Sequence, residues 1–121
     1  MAEPKTILVV DDEPGMRKSL TAVFANEGYH VVSARSGDEA LDRCRNGGVN
    51  VVLLDLRLTG NGNGLDALRR LRALHPNIPV LVMTADTDDA TRRAADDCGA
   101  AAFFTKPLDL DQVIQSIESV T

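Results

Sequence analysis

The chain has 121 residues, which is about the size of one domain and enough to bury a single sheet-and-helix core. Hydrophobic residues make up 44% of the sequence and charged residues 26%, as in an ordinary globular protein. The formal net charge of −5 argues against a nucleic-acid-binding surface on this domain.

Signals for export and for membrane insertion are missing from the sequence. The N-terminus lacks the apolar core of a signal peptide, and no run approaches the roughly 18 apolar residues of a membrane span. Cys44 and Cys98 lie far apart without CxxC spacing, so they are expected to be small buried or half-buried helix residues rather than a disulfide or a zinc site. Together these features predict a cytoplasmic domain in a reducing compartment.

Five apolar runs alternate with segments of helical periodicity, which predicts an α/β fold with a doubly wound parallel sheet covered on both faces. Each run is short and rich in Val, Leu, Ile or Phe, and the third is apolar at every position, as a strand buried on both faces should be. The strands are expected at residues 6–10, 29–34, 51–54, 80–83 and 101–105.

Helix boundaries are predicted from proline, glycine and capping residues. Pro14 suits a first turn, Gly28 a C-terminal cap, Ser36 and Glu39 form a capping box, and Asp109 caps the last helix. The apolar positions that mark four of the helices are Met16, Leu20, Val23 and Phe24, then Ala40, Leu41 and Cys44, then Leu65, Leu68, Leu71 and Leu74, and finally Leu110, Val113, Ile114 and Ile117.

The fourth predicted helix, at about residues 87–98, differs from the others. Its apolar face holds only small side chains, those of Ala90, Ala94 and Cys98, before Gly99 ends it. Because it buries little apolar surface, we expect it to be the least firmly held helix.

Polar residues suited to phosphoryl transfer follow four of the predicted strands. Asp11 and Asp12 follow the first, Asp55 the third, Thr84 the fourth and Lys106 the fifth. The carboxyl ends of parallel strands are where open α/β sheets bind ligands, so these side chains are expected around one crevice. Three carboxylates there would repel one another unless a cation lies among them, and Mg²⁺ suits such oxygen ligands. Asp55 could then serve as an anionic nucleophile toward phosphorus.

Each of these residues also has a simpler interpretation when taken alone. Asp11 or Asp12 could be a helix cap or a turn residue, Thr84 a structural threonine and Lys106 an exposed surface lysine. That explanation is poor for the whole set. Pro107 forces an extended backbone at Lys106, and a proline in this position often marks a cis bond.

Several segments together resemble the receiver domain of bacterial two-component response regulators, in the CheY-like superfamily. They are ILVVDDEP at 7–14, VVLLDLRL at 51–58, Met83-Thr84-Ala85, Gly99-Ala100 and Thr105-Lys106-Pro107. The resemblance covers essentially the whole chain in order, so a single receiver domain is expected over residues 1–121. It implies a flavodoxin/CheY-like fold with five parallel strands in the order 2-1-3-4-5 and five helices.

The resemblance also implies roles for individual residues. Asp55 would be the phosphoacceptor, taking its phosphoryl group from the phosphohistidine of a histidine kinase or from a small acyl phosphate. Asp11, Asp12 and Asp55, with the backbone carbonyl of Arg57, would hold Mg²⁺. Lys106 would contact the phosphoryl group.

Two further residues would form the switch: Thr84 would supply its hydroxyl group and Phe103 its aromatic ring. Phe103 carries no hydroxyl, so it lacks a hydrogen bond that a tyrosine could make there, and a plain core role is the alternative for it.

The implied function is a phosphorylation-dependent signalling switch in a phosphorelay, and not an enzyme beyond its own autophosphorylation and autodephosphorylation. The expected partners are a histidine kinase or phosphotransfer protein, and an output domain or protein that reads the face of helix 4, strand 5 and helix 5. No nucleic-acid or membrane partner is expected for this domain. A phosphorylation-dependent homodimer, and membership of a longer protein, are left open.

The sequence departs from the family pattern beside the acceptor strand. Leu58-Thr59-Gly60 stands where Leu-Pro-Gly is usual, and the loop to Gly64 is one residue longer than the common pattern, so a more mobile loop is predicted. Arg57 and Asp86 occupy the positions at which the family tunes hydrolysis of the phosphoryl group.

Two other functions fit parts of the sequence. A Mg²⁺-dependent phosphohydrolase of the haloacid-dehalogenase kind would need a second aspartate where Arg57 stands and a cap domain that does not fit in this length, so it is disfavoured. A receiver-like binding scaffold that never takes phosphate is opposed by the intact residue set, although the altered loop keeps it open.

Overall fold

A computed structural model of the protein describes residues 4–58, 64–85 and 88–121. Its five parallel strands form one sheet in the order β2-β1-β3-β4-β5. The strands are β1 (Thr6–Val10), β2 (His30–Ala34), β3 (Val51–Asp55), β4 (Val80–Thr84) and β5 (Ala102–Thr105). The predicted α/β class and strand order are confirmed.

Five helices cover the two faces of this sheet. They are α1 (Pro14–Asn26), α2 (Gly37–Arg45), α3 (Gly64–Leu74), α4 (Asp89–Asp97) and α5 (Leu110–Val120). One face packs against α1 and α5 through a core that includes Leu20, Phe24 and Ile117. The opposite face packs against α2, α3 and α4, so the sheet is doubly wound as predicted.

The three central strands are buried on both faces. Ile7, Val9 and Val10 in β1, and Leu53 and Leu81 in the neighbouring strands, are 0% exposed. Removing so much apolar surface from water is the main favourable term in folding. The carboxyl ends of β1, β3 and β4 therefore form a rigid edge on which side chains can be placed accurately.

The predicted capping residues act as helix boundaries. Pro14 lies in the first turn of α1, and Gly28, just after that helix, has a φ of 96° in the left-handed region that glycine tolerates. The Ser36 hydroxyl accepts a hydrogen bond from the Glu39 N–H at 3.2 Å. The Asp109 carboxylate accepts the N–H groups of Asp111 and Gln112 at the start of α5.

The fourth helix differs in detail from its prediction. Asp88 is its N-cap, with a carboxylate that accepts the Ala90 N–H at 2.9 Å, and Ala90 itself is exposed in the first turn. The buried side chain is Ala95, with Ala94 and Cys98 half-buried beside it. The prediction that Ala90 faces inward was wrong, because the contact with the core begins one turn after the helix does.

Smaller corrections concern element ends. Strand β2 begins at His30 and β5 at Ala102, one residue later than predicted in each case. Leu74 closes α3 with 63% of its surface exposed, although the leucines before it in the pattern pack inward. The predicted start of the fourth helix at residue 87 and the loop at 59–63 lie outside the described residues.

The cysteines have the burial predicted for them, since Cys44 is buried and Cys98 half-buried, both as free thiols. Burial raises the pKa of the Cys44 thiol to about 11, so this group is protonated and unreactive at neutral pH. Within the described part of the chain, no helix has the length and apolar character needed to cross a membrane.

Candidate functional site

The acidic residues meet because β1 and β3 are neighbours in register. Val10 pairs with Leu54, so Asp11 and Asp55, the next residues, lie side by side at the carboxyl edge of the sheet. One carboxylate oxygen each from Asp11, Asp12 and Asp55 lie within 4.8 Å of one another. Asp11 is 0% and Asp55 4% exposed, and Asp12 is half-buried.

Lys106 reaches this cluster from the far side of β4. Its Nζ donates to Asp11 Oδ2 at 3.0 Å and to Asp55 Oδ2 at 3.1 Å. Only 16% of its side-chain surface is exposed, so the simple alternative of a solvated surface lysine is excluded. The Lys106–Pro107 peptide bond is cis.

Thr84 ends the strand that separates Asp55 from Lys106. It is 0% exposed, and it pairs in register with Thr105, the residue before Lys106. The Lys106 N–H donates to the Thr84 carbonyl oxygen at 2.8 Å, so the backbone at the ends of β4 and β5 is tied together. The residues predicted to follow four strands are therefore brought to one place.

Two backbone hydrogen bonds orient the buried carboxylates. The Glu13 N–H donates to Asp11 Oδ1 at 3.0 Å, and the Arg57 N–H donates to Asp55 Oδ1 at 2.9 Å. In each carboxylate the other oxygen accepts from Lys106. Both acids are thus fixed by neighbouring donors, which is the preorganisation that a functional site requires.

Burial and charge shift the proton affinities of this group. Burial raises the pKa of the Asp55 carboxyl, and the nearby Asp11 adds to this, while the Arg57 N–H and Lys106 oppose the rise without reversing it. Burial alone would lower the pKa of Lys106, but its hydrogen bonds to Asp11 and Asp55, together with the negative charges of these carboxylates, outweigh burial and raise the pKa. Lys106 has two carboxylate partners, whereas Asp55 shares one ammonium with Asp11.

The donor set fits a hard divalent cation. Three carboxylates converge on one point, and the single ammonium beside them leaves an excess of negative charge. Oxygen ligands and excess negative charge are what Mg²⁺ prefers in proteins. Arg57 adjoins the cluster through its backbone, and ligation by its carbonyl remains a prediction.

Arg17 makes a contact with the Asp11 backbone that was not predicted from the sequence. Its Nη1 donates to the Asp11 carbonyl oxygen at 2.6 Å, from the second turn of α1. The guanidinium thereby ties α1 to the segment that carries Asp11 and Asp12. The sequence offered one signal for this contact. Arg17 is six residues after Asp11, on a helix that begins at Pro14, so its side chain could reach back to the end of β1.

Gly64 was also not identified as a site residue. A Cβ there would clash with the backbone of Leu56, the residue after Asp55, and the Gly64 N–H donates to the Leu56 carbonyl at 3.1 Å. The segment after β3 is held by this close approach, which is possible because glycine has no side chain.

The structure describes Phe103 but not Asp86. Phe103 is half-buried in β5, and the guanidinium of Arg92 lies over its ring, 5.4 Å from the centroid. The ring also packs against the core cluster on this side of the sheet, and the role of Phe103 as the switch aromatic remains a prediction. Asp86 and the altered loop at 59–63 lie outside the described residues.

Curated proteins of known family resemble the chain along nearly all of its length. Sporulation initiation phosphotransferase F of Bacillus subtilis is 35% identical over 112 residues, which is 93% of this chain and 90% of that protein. The transcriptional regulatory protein ZraR of Escherichia coli is 38% identical over 112 residues, 93% of this chain. This chain spans only 25% of ZraR, and only 50% of the probable transcriptional regulatory protein TcrX of Mycobacterium tuberculosis.

Solved structures give the same result for the fold. A response regulator receiver protein from Pseudomonas putida superposes with a TM-score of 0.91 at 26% identity, covering 98% of this chain and 99% of that one. The receiver domain of NtrX from Brucella abortus gives 0.88 at 31% identity, covering 94% and 96%. The family model described as "Response regulator receiver domain" matches residues 7–118. The chain therefore belongs to the receiver domain family of two-component response regulators, whose members are signalling domains.

Proposed function

We propose that the protein is a phosphorylation-dependent switch that accepts a phosphoryl group on Asp55. The observation that carries this proposal is the position of Asp55, a buried carboxylate that lies in a cluster of three acids and receives a hydrogen bond from Lys106 at 3.1 Å. A structural ion pair would need neither the additional acids nor the strand-end position. The carboxylates and the ammonium that such a switch would use lie in one crevice, which supports the proposal.

Asp55 would act as the nucleophile. A carboxylate oxygen attacks the phosphorus, and the P–N bond of a phosphohistidine or the P–O bond of an acyl phosphate breaks. The bonding pair leaves with the imidazole or with the acyl carboxylate, and Asp55 becomes a mixed anhydride. The Arg57 N–H, at 2.9 Å from Asp55 Oδ1, holds the carboxylate in a fixed orientation for this attack.

Asp11, Asp12 and Asp55, with the backbone carbonyl of Arg57, would hold Mg²⁺. When bound, the ion would supply positive charge that offsets the negative charge of the carboxylates and of the incoming phosphoryl group. Asp11 is prepared for this role by two contacts, since its Oδ1 accepts the Glu13 N–H and its carbonyl accepts Arg17.

Lys106 and Thr84 would bind the transferred group. The raised pKa of Lys106 keeps its ammonium charged at neutral pH, and a shift away from Asp55 Oδ2 would bring it to a phosphoryl oxygen. Thr84 offers a hydroxyl at the end of the adjacent strand. Because the Lys106 N–H is bonded to the Thr84 carbonyl, we infer that the two strand ends respond together.

The signal would be read on the face formed by α4, β5 and α5. An aspartyl phosphate adds charge and acceptor oxygens at one point, and a small rearrangement of Thr84 toward it would change the packing of Phe103 and α4. The partners proposed are a histidine kinase or phosphotransfer protein upstream, and an output domain, a partner protein or a second copy of the chain downstream.

A titration with beryllofluoride, a mimic of the phosphoryl group, tests the pocket directly. We expect saturable, Mg²⁺-dependent changes in the amide NMR signals of residues around Asp55, Thr84 and Lys106. Asp55→Asn should abolish them, whereas Asp42→Asn, which removes an exposed carboxylate on α2, should leave them intact. If the wild-type protein gave no such changes, the phosphoacceptor proposal would fail and a binding scaffold would be the better account.

A further inference from the structure

The contact between Arg92 and Phe103 lies on the proposed output face, outside the acidic cluster. Arg92 belongs to the exposed side of α4, and its guanidinium carbon lies 5.4 Å from the centroid of the Phe103 ring. That distance is within the range of about 6 Å at which a cation is attracted to an aromatic face. The ring also packs against the core shared by α2, α3 and α4. Phe103 is therefore held between the core and a positive charge.

The position of Phe103 connects this contact with the crevice. Phe103 is three residues before Lys106, and it pairs in register with Val82, two residues before Thr84. A phenylalanine has no hydroxyl, so no side-chain hydrogen bond can hold the ring in its present place. The cation–π contact is an attraction that a phenylalanine can still make.

We propose that Arg92 is a positioning residue that holds Phe103 in the unphosphorylated arrangement. This inference rests on the proposed function. If phosphorylation moves the ring, the contact between Arg92 and Phe103 must break. The contact therefore favours the resting state and lowers the apparent affinity for a phosphoryl group. A ligand that binds the other state must overcome this preference, since coupling depends on interactions that differ between two states.

The contact also explains how α4 can take part in the switch despite its small buried surface. Ala95 is the buried side chain on the helix, so packing alone gives α4 little connection to β5. Arg92 adds a link from the exposed side of the helix to the ring. Loss of this link on phosphorylation would alter the surface presented by α4 and free the exposed guanidinium to contact a partner.

The test measures apparent affinity for beryllofluoride at saturating Mg²⁺ in the wild type and in Arg92→Met. Methionine keeps the length and apolar character of the side chain without its charge. We expect binding to tighten about two- to five-fold, the size expected from an exposed cation–π contact. Arg93→Met, which removes a neighbouring exposed charge from the same helix, is the matched control and should change the affinity less than 1.5-fold (roughly the effect of a remote screened charge).

A double-mutant cycle assigns the effect to the ring. In a Phe103→Leu background, Arg92→Met should produce no further tightening, because the aromatic face is gone. Equal affinities in wild type and Arg92→Met, equal effects of Arg92→Met and Arg93→Met, or tightening that persists without the ring would each overturn the inference while leaving the phosphoacceptor function in place. If the wild-type protein bound no beryllofluoride, the proposed function would fail and this inference with it.

Discussion

Lys106 lies between two buried carboxylates, and its charge balances part of theirs. The ammonium is 3.0 Å from Asp11 Oδ2 and 3.1 Å from Asp55 Oδ2, and a third acid, Asp12, completes the cluster. An ion pair of this kind contributes to stability mainly by preventing an uncompensated buried charge. The residues that would perform the chemistry are therefore also residues that affect the free energy of unfolding.

Replacing Lys106 by methionine should destabilise the metal-free protein. The change leaves Asp11 and Asp55 without their ammonium partner, at an expected cost of about 2–4 kcal/mol in the free energy of unfolding. Urea denaturation at pH 8 measures this, with Lys18→Met on the exposed side of α1 as the control. Mg²⁺ should restore part of the loss, because it supplies positive charge to the same acids. A variant as stable as the wild type would show that the ion pairs contribute nothing.

Because the pKa of Lys106 is raised in the folded protein, the difference in stability between the wild type and Lys106→Met should depend on pH. A lysine whose folded pKa lies above its unfolded value of about 10.4 stabilises the fold fully below that value. The contribution is lost as the pH rises through the folded pKa. The stability gap between wild type and Lys106→Met should therefore be constant from pH 7 to 9 and shrink above about pH 10.4. Urea midpoints across this range provide the measurement, and a gap that widened would contradict it.

Replacing Asp55 by asparagine should stabilise the metal-free protein at pH 7. Burial and the neighbouring Asp11 raise the pKa of Asp55, so its ionised form opposes folding at neutral pH. A neutral amide removes that cost, and the free energy of unfolding should rise by an amount on the order of 1 kcal/mol. Lys106 remains paired in this variant, because it still donates a hydrogen bond to Asp11. Thermal unfolding at pH 7 without Mg²⁺ measures the gain.

The gain from Asp55→Asn should disappear in acid. Below the unfolded pKa of about 3.9 the carboxyl is protonated in both states, so the substitution then changes little. Mg²⁺ should stabilise the wild type more than this variant, because one of the proposed metal ligands is gone. A variant less stable than the wild type at pH 7 without Mg²⁺ would show that the Asp55 carboxylate supports the fold.

At the scale of elements, the helices differ in how firmly they are attached. Helix α3 buries Gly64, Ala67, Leu68 and Leu71, whereas α4 buries Ala95. Local opening costs less where few apolar contacts are lost. The weakly attached helix is the one that borders the proposed output face.

Hydrogen exchange should therefore be fastest in α4 among the five helices. The amides of the last two turns of α4 are the ones to compare with those in the middle of α3 and α5, measured by NMR in the metal-free protein. Beryllofluoride and Mg²⁺ should change the protection of α4 more than that of α3. Equal protection across the helices would remove the argument that this helix is the mobile part of the switch.

Gly64 should not tolerate a side chain. A Cβ would meet the backbone of Leu56, which is itself fixed by a hydrogen bond from its N–H to the Met83 carbonyl at 3.0 Å. Gly64→Ala should cost about 2–3 kcal/mol in the free energy of unfolding, because backbone must move. Gly15→Ala is the control, since apart from its chain neighbours and the backbone of its own helix no atom lies within 4 Å of the added Cβ, and it should gain up to about 1 kcal/mol in the free energy of unfolding. Similar urea midpoints for the two variants would contradict the close packing described here.

For the molecule as a whole, the sequence predicts the strands and the residues at their carboxyl ends well, because the apolar runs that mark the strands are local features of the sequence and agree with one another. Apolar runs define the strands, and two of them lead directly to residues of the crevice, since Asp55 is the last residue of β3 and Lys106 follows β5. The strand order came from the resemblance to receiver domains. A set of strand-end residues on a parallel sheet can therefore be predicted before any coordinates are known.

Contacts that depend on side-chain direction were not predictable in this way. The hydrogen bond from Arg17 to the Asp11 carbonyl and the position of Arg92 over Phe103 require rotamers and helix rotation, which periodicity does not specify. The exposed Ala90 is a similar case, because three small residues at helical spacing did not indicate where α4 first meets the core.

Intact-mass spectrometry after incubation with acetyl phosphate tests whether Asp55 accepts a phosphoryl group. The wild-type protein should gain one phosphoryl group in the presence of Mg²⁺ and none when the metal is chelated, and Asp55→Ala should gain none in either condition. Decay of the adduct after buffer exchange would then report the phosphoryl lifetime. A phosphoryl group on the Asp55→Ala variant, or no adduct on the wild type, would contradict the assignment of Asp55 as the phosphoacceptor.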